Sequence, residues 1–173
     1  KSKKMRILAI TAALLIGLGM NGLNAQGKTA RPSPLKTTEA LVGKSKVTIT
    51  YSSPSVKGRT IFGDLVPFDK VWRTGANEAT TIETSGEIMI GGKKLKAGKY
   101  SVFTIPTKDK WTVILNSVSN QWGDYKHDVA KDVFRVMTNK VETIEATEQF
   151  TITVENGMLS FVWATSKASV SIK

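Results

Sequence analysis

Hydrophobic and polar residues alternate with a period of two along most of the chain. The clearest alternating segments are residues 46–51, 100–105, 111–116, 150–155 and 159–164. Alternation of this kind is typical of β-strands that bury one face. Since no long segment shows the period of an amphipathic helix, we expect at most one or two short helices, at 67–72 and within 123–133.

Turn sequences separate these predicted strands. Asn156-Gly157 lies between two alternating segments, and both residues tolerate positive φ angles, which makes the pair a strong signal for a tight hairpin. Gly91-Gly92 predicts another hairpin, and Ala97-Gly98 a further turn. Together these features predict an all-β protein of about eight to ten short strands, arranged as an antiparallel β-sandwich or jelly roll in one domain, 36–173. A closed barrel is the alternative.

The first 25 residues have the order of segments found in export signals. Several lysine and arginine residues lie within 1–6, residues 7–20 are apolar, and a short polar stretch ends at Ala25. We therefore predict a cleaved signal peptide at 1–25 and a periplasmic or secreted protein without a transmembrane span after cleavage. A membrane anchor is the alternative, although a span takes about 20 apolar residues. The polar residues 26–35 contain two prolines and predict a flexible lead.

Charge and composition narrow the set of partners. The chain has 25 Lys and Arg against 14 Asp and Glu, a net charge of +11. Its lysines are scattered, which is typical of a solvated surface; the alternative is attraction to an acidic partner, such as an anionic glycan or lipid headgroup. No nucleic-acid-binding motif is present, so nucleic acid is not an expected partner. Without cysteine, the fold depends on packing alone.

Residues 51–81 break the alternation and carry unusual chemistry. Prolines and glycines divide this segment, so much of it is predicted to be loop, where binding groups usually lie. Arginine can bind a carboxylate or phosphate with two hydrogen bonds, and a tryptophan face suits a sugar ring or a cation. The candidate ligand-binding residues in this segment are Trp72, Arg73, Asn77, Glu78, Lys57 and Arg59. The structural alternative is that Arg73 and Glu78 pair with each other or hold loop backbone.

A second polar segment, 120–132, adds Trp122 and Tyr125 to the candidate ligand-binding residues. Trp72 and Trp122 are the two tryptophans that the pattern does not assign to the core. His127 is the only histidine, and we expect it to lie alone at the surface. With one histidine and no cysteine, a zinc or copper site is poorly supplied, and we expect no metal or other cofactor.

The sequence offers little support for catalysis. It contains no G-x-S-x-G motif, and any Ser-His-Asp triad would depend on His127. Glu78 and Asp124 could act as an acid–base pair on a glycoside if the fold brought them together. The sequence assigns no catalytic residues.

Several runs of sequence, taken together, are similar to one family of exported bacterial proteins. The runs are RPSPL at 31–35, ITYSSPSVKGRTIFG at 49–63, LVPFDKVWRTGANEATTI at 65–82, GGKKLKAGKYSVFTIP at 91–106, WTVILN at 111–116 and QWGDY at 121–125. In these runs the chain resembles the family described as domain of unknown function 2911. The resemblance implies a secreted or periplasmic single-domain protein and carries no catalytic residues over to this sequence.

Three functions are compatible with these features. The first is a cell-envelope binding module for a glycan or small anionic ligand, which uses the loops around residues 72–78. The second is a carboxylate-dependent hydrolase. The third is a structural or assembly subunit of an envelope complex that presents a strand edge or a flat face to a partner. The sequence does not set the oligomeric state.

Overall fold

The computed structural model describes residues 31–173, and nine β-strands account for most of this range. The strands are β1 (Leu35–Val42), β2 (Ser45–Ser52), β3 (Ala76–Thr84), β4 (Ile88–Ile90), β5 (Lys93–Leu95), β6 (Gly98–Pro106), β7 (Lys110–Asn116), β8 (Asp132–Glu155) and β9 (Met158–Ser171). Within residues 31–173, the one helical element is a 3-10 turn at Val129–Lys131. The all-β prediction is therefore confirmed, while the predicted signal peptide, 1–25, and the start of the predicted lead lie outside the described residues.

Seven strands form one antiparallel sheet in the order β1-β2-β3-β6-β7-β8-β9, and β4 and β5 form a separate hairpin. The sheet curls so that β1 approaches the far half of β8, where the Thr38 hydroxyl donates a 2.7 Å hydrogen bond to the Ile152 carbonyl. The hairpin lies against the end of β9, where the Met89 N–H donates to the Lys173 carbonyl at 2.7 Å. These contacts close the curled sheet around one core.

The last two strands, β8 and β9, are long, so the prediction of short strands is wrong for these two. β8 has 24 residues and β9 has 14. β8 is long because its first part pairs with β7 and its second part pairs with β9. Its register against β9 shifts between Glu142 and Thr147 and again between Thr147 and Thr151, so extra residues of β8 project from the ladder.

Two predicted hairpin turns have the predicted geometry. Asn156 and Gly157 join β8 to β9 with φ angles of 52° and 70°. Gly91 and Gly92 join β4 to β5 with φ angles of 55° and 78°. Positive φ at both central residues is the conformation that matches the twist of the flanking strands, which explains the choice of residues. The other predicted short helix, at 67–72, is a series of turns.

A cluster of aromatic rings fills the core. The largest buried rings belong to Trp72, Trp111, Phe150, Phe161 and Trp163. The Trp72 and Trp163 rings stack at an interplanar angle of 14° with centroids 5.8 Å apart. Since aromatic rings bury the largest apolar areas, this cluster supplies much of the hydrophobic stabilisation.

A smaller cluster covers part of the outer face of the sheet. It contains Ala79, Phe103 and Ile114, which are buried although their neighbours along each strand face the main core. The His127 ring packs edge-on against Phe103 with centroids 4.9 Å apart. The segment between β7 and β8 thus lies over the sheet, which places residues 120–125 beside the start of β3.

Candidate functional site

The first candidate residue, Trp72, belongs to the core. Its side chain is buried in the aromatic cluster, and its backbone forms two hydrogen bonds with Thr104 on β6, at 2.8 and 3.0 Å. Its indole N–H donates to the Gly75 carbonyl at 3.0 Å. The interpretation that Trp72 lies outside the core is therefore wrong: the two backbone bonds attach the loop to the sheet at this residue and turn its ring inward.

Backbone strain is concentrated in the four residues that follow Arg73. Thr74, Gly75 and Asn77 have φ angles of 57°, 154° and 59°. The buried Thr74 hydroxyl donates to the Thr104 hydroxyl at 3.1 Å, and Thr80 donates to the Thr74 carbonyl at 2.6 Å. Positive φ is costly for residues other than glycine, and such strain is concentrated at functional sites. The hydroxyl network holds the loop in this conformation.

Backbone hydrogen bonds join the two candidate segments. The Ala79 N–H donates to the Gln121 carbonyl, and the Gly123 N–H donates to the Asn77 carbonyl, both at 3.1 Å. These bonds place Trp122 directly beside the start of β3. Trp122 itself is 58 % exposed, in agreement with the prediction that it lies outside the core. Residues that are far apart in sequence thus form one surface.

This surface contains a cavity of about 330 Å³, called the central cavity below. Its polar walls include Arg59, Arg73 and Asn77, Trp122 forms one side, and the core residues Trp72 and Trp163 also line it. No carboxylate among the described residues lines it. Its size is at the lower end of the range for small-molecule sites, and its combination of aromatic rings with a few polar groups is typical of them.

Arg73 has an unusual environment for a partly buried cation. Its Nε is buried and has no hydrogen-bond partner among the described residues. One Nη donates a long, 3.4 Å hydrogen bond to the Asn77 carbonyl, and the guanidinium carbon lies 5.6 Å from the centroid of the Tyr125 ring. Arg73 does not pair with Glu78, the first structural alternative; its long bond to the Asn77 carbonyl holds loop backbone, as the second alternative describes. A buried donor without a partner is costly, and a bound anion would satisfy it.

Glu78 lies in a different cavity, called the Glu78 cavity, which also measures about 330 Å³. Its carboxylate accepts a 2.6 Å hydrogen bond from Arg31, and the Ser52 hydroxyl lies 3.5 Å away. The bond from Arg31 holds the pKa of Glu78 below its usual range. Asp124, the suggested partner in catalysis, does not line this cavity. Glu78 is therefore an ion-paired carboxylate.

The two cations of the 57–59 turn have different positions. Arg59 lines the central cavity, and its Nε and one Nη donate to the carbonyls of Val56 and Ser55 at 3.0 and 2.6 Å. Lys57 does not line that cavity; its backbone N–H donates to the Glu148 carboxylate at 3.0 Å. The turn thus directs one of its two cations, Arg59, toward the cavity of Arg73.

The prediction that His127 lies alone at the surface is wrong. Its side chain is 6 % exposed and its Nε2 lies 2.8 Å from a carboxylate oxygen of Asp132. Asp132 also accepts hydrogen bonds from Asn116, at 2.8 Å, and from Arg135, at 2.7 and 2.9 Å. Burial alone would raise the pKa of Asp132, but the hydrogen bonds from these three residues lower it below its usual range. This network fixes the segment between β7 and β8.

Metal-binding side chains do not converge in the part of the chain that the structure describes. Asp124, Asp128 and Asp132 are spaced by four residues in the sequence, but the one helical element of the described residues near them is the short 3-10 turn Val129–Lys131. Asp128 instead accepts a 2.9 Å hydrogen bond from the Ala130 N–H at the start of the 3-10 turn.

Two residues that line these cavities are not among the candidates that the sequence predicts. Trp163 was assigned to the core, where it is buried, but it also lines the central cavity. Arg31 was assigned to the flexible lead, yet its guanidinium binds Glu78. A single arginine in a segment with two prolines gives no signal of a partner 47 residues away. The pairing of β1 with β2 and of β2 with β3 brings Arg31 beside Glu78.

Comparison with known families adds the identity of the domain. The family described as "Protein of unknown function (DUF2911)" matches residues 33–172. The chain belongs to this family. The DUF2911 match covers the nine strands described above, together with residues 72–78 and 120–125. No curated protein and no solved structure matches the chain. Within residues 31–173 there is no helix long and apolar enough to cross a membrane.

Proposed function

We propose that this DUF2911 protein is an exported cell-envelope module that binds a small anionic ligand, such as a sugar acid, in the central cavity. The basic, apolar and small-residue segments of 1–25 support export. One observation carries the ligand class: the partly buried Arg73 has a buried Nε without a hydrogen-bond partner, and it has no ion-pair partner among the described residues.

The central cavity favours a ligand that combines an anion with a ring. Arg73 and Arg59 both line it, and no described carboxylate competes for them. A guanidinium binds a carboxylate through two parallel hydrogen bonds in the plane of the group. The exposed Trp122 ring offers a face on which a sugar ring packs, and the Asn77 side chain can bond a hydroxyl. A uronic acid offers one group for each of these contacts: a carboxylate, a sugar ring and hydroxyls.

The experiment is a titration calorimetry series with galacturonate and its neutral counterpart galactose. We expect binding of galacturonate, weaker or no binding of galactose, and loss of galacturonate binding in Arg73→Met. Lys94→Met is the matched control, because Lys94 is exposed on the β4–β5 hairpin and its loss also removes one positive charge. Equal affinity for the two sugars, or full binding by Arg73→Met, would refute the proposal.

The hydrolase alternative has less support. A glycosidase needs a carboxyl group that stays protonated to donate a proton, which requires a raised pKa. Arg31 lowers the pKa of Glu78, and the pKa of Asp132 and of Glu142 is lowered as well. Each of these carboxylates is ion-paired, so their environments favour charge binding over acid catalysis.

The assembly alternative is favoured by one feature of β8. Val133, Met137 and Val141 lie on its outer face at alternate outward positions, and Ile144 projects from the bulge that follows. Exposed apolar side chains along one strand can mark a contact with a partner. Light scattering of the protein and of Met137→Glu tests this function, since self-association through β8 would disappear in the variant.

A further inference from the structure

The central cavity has neighbouring cavities that share lining residues with it or with one another. A cavity of about 390 Å³ beside Phe68, called the Phe68 cavity, shares Arg59 with it. A cavity of about 320 Å³ beside Lys126, called the Lys126 cavity, shares Trp122 with it. The Lys126 cavity in turn shares Asn120 and Gln121 with the Glu78 cavity. Four neighbouring cavities therefore follow one another across the surface.

Each cavity in the series contains at least one cation. Arg59 and Lys140 line the Phe68 cavity, Arg73 lines the central cavity, Lys126 lines the next and Lys99 the last. Arg59, Arg73 and Lys126 form no salt bridge among the described residues. Positive charge repeated along a groove complements a chain that carries negative charge at regular intervals.

The residues shared between neighbouring cavities suit sugar units. Trp122 is 58 % exposed and borders two cavities, so its ring can pack against a unit that spans them. Asn120 and Gln121 border the next pair of cavities with neutral amide groups, which can donate to and accept from hydroxyls. Cations in the cavities, with aromatic or neutral polar groups at two of the three junctions between them, suit an acidic oligosaccharide.

We infer that the four cavities form one groove that binds a linear oligosaccharide bearing carboxylates on its units. This inference rests on the proposed function and extends it from one sugar acid in the central cavity to a chain of them. Single-stranded nucleic acid, another linear polyanion, fits less well. Proteins that bind single strands stack successive bases on aromatic side chains, whereas the exposed aromatic rings of these cavities, Trp122 and Tyr125, both lie at the Lys126 cavity.

The test compares galacturonate with its linear hexamer in titration calorimetry on the protein without its first 25 residues. We expect the hexamer to bind at least about tenfold more tightly than the monomer, because additional units bind as part of the same molecule. Lys126→Ala and Lys99→Ala should each weaken hexamer binding several-fold and leave monomer binding unchanged, since both side chains lie outside the central cavity. Lys94→Ala, on the β4–β5 hairpin, is the control and should change neither.

The outcomes separate the two proposals. If the monomer binds and the hexamer is no tighter, or if both lysine variants bind the hexamer normally, the extended groove is refuted and the central site stands. If neither sugar binds, both proposals fail. If the hexamer binds and the monomer is too weak to measure, the groove is supported and the single-cavity site is not. A ten-residue oligothymidylate that binds more tightly than the hexamer would overturn the assignment to an oligosaccharide.

Discussion

The guanidinium carbon of Arg73 lies 5.6 Å from the centroid of the Tyr125 ring, so this cation contacts an aromatic ring where a carboxylate would be expected. The two residues come from segments far apart in sequence, and the backbone bonds between 77–79 and 121–123 hold them together. A cation–π contact supports a cation less than an ion pair does. Arg73 is therefore only partly satisfied by the residues around it.

Replacing Arg73 should cost the fold little. We expect Arg73→Met to leave the free energy of unfolding unchanged or to raise it by about 1 kcal/mol, because an apolar side chain of similar length removes an unsatisfied buried donor. Urea unfolding measures this difference. The matched control is Arg135→Met, which removes the two hydrogen bonds to Asp132 and should lose about 1–2 kcal/mol. A larger loss at Arg73 than at Arg135 would make Arg73 a structural residue.

The two tryptophans at the central cavity should differ sharply in their effect on stability. Trp72→Ala should lower the free energy of unfolding by about 3–5 kcal/mol, because it empties a buried position in the aromatic cluster. Trp122→Ala should change it by less than about 0.5 kcal/mol, since that ring is mostly exposed. Both values come from urea unfolding followed by circular dichroism. Equal losses would show that Trp122 supports the fold and would weaken its assignment to ligand binding.

The strands and turns could be predicted from the sequence because their signals are local. The alternation in residues 46–51 follows directly from the period of a β-strand, and the structure buries Val47, Ile49 and Tyr51 as that pattern requires. Asn156-Gly157 specifies its hairpin through two residues alone. The length of β8 could not be predicted in this way, because that strand changes its pairing partner midway and its alternation breaks where its register against β9 shifts, between Glu142 and Thr151.

The candidate site could be predicted only in part, since its geometry depends on contacts between distant residues. Trp72 lies in a segment rich in glycine and proline, yet its pairing with Thr104 turns its ring into the core. His127 lies in a polar segment, and only the position of Asp132 at the start of β8 explains its burial. A polar segment predicts a loop but does not show which of its side chains that loop covers.

The Asp132 network should make stability depend on pH at its acidic limit. The pKa of Asp132 is lowered in the folded protein from about 3.9 in an unfolded chain, so its contribution is complete above about pH 4 and is lost as the pH falls further. Asp132→Asn should lower the free energy of unfolding at pH 7 by at least about 2 kcal/mol, because it leaves buried donors without a carboxylate. The difference in the free energy of unfolding between this variant and the unsubstituted protein should become smaller as the pH falls below 4.

Unfolding by urea at pH 7 and at decreasing pH values below 4 checks this dependence. Glu142→Gln is the control: the pKa of Glu142 is also lowered, chiefly by its hydrogen bond from Lys140, but its side chain is well exposed. We expect that variant to lose less than about 0.5 kcal/mol at pH 7. A deficit in Asp132→Asn that stays constant as the pH falls would show that the charge of Asp132 does not stabilise the fold.

Gly75 should be the glycine of the site that is hardest to replace. A Cβ atom at this position would lie 2.7 Å from the Ser52 carbonyl oxygen, a backbone atom that cannot move aside easily, and the φ angle of 154° is unfavourable for other residues. We expect Gly75→Ala to lower the free energy of unfolding by more than about 3 kcal/mol.

Gly58→Ala is the matched control, because Gly58 also has positive φ, 69°, but its Cβ would enter open space. That variant should lose only about 1 kcal/mol. Gly75 allows residues 72–78 to lie close to β2. If the two variants lost equal free energy of unfolding, this close contact would not be what constrains the loop.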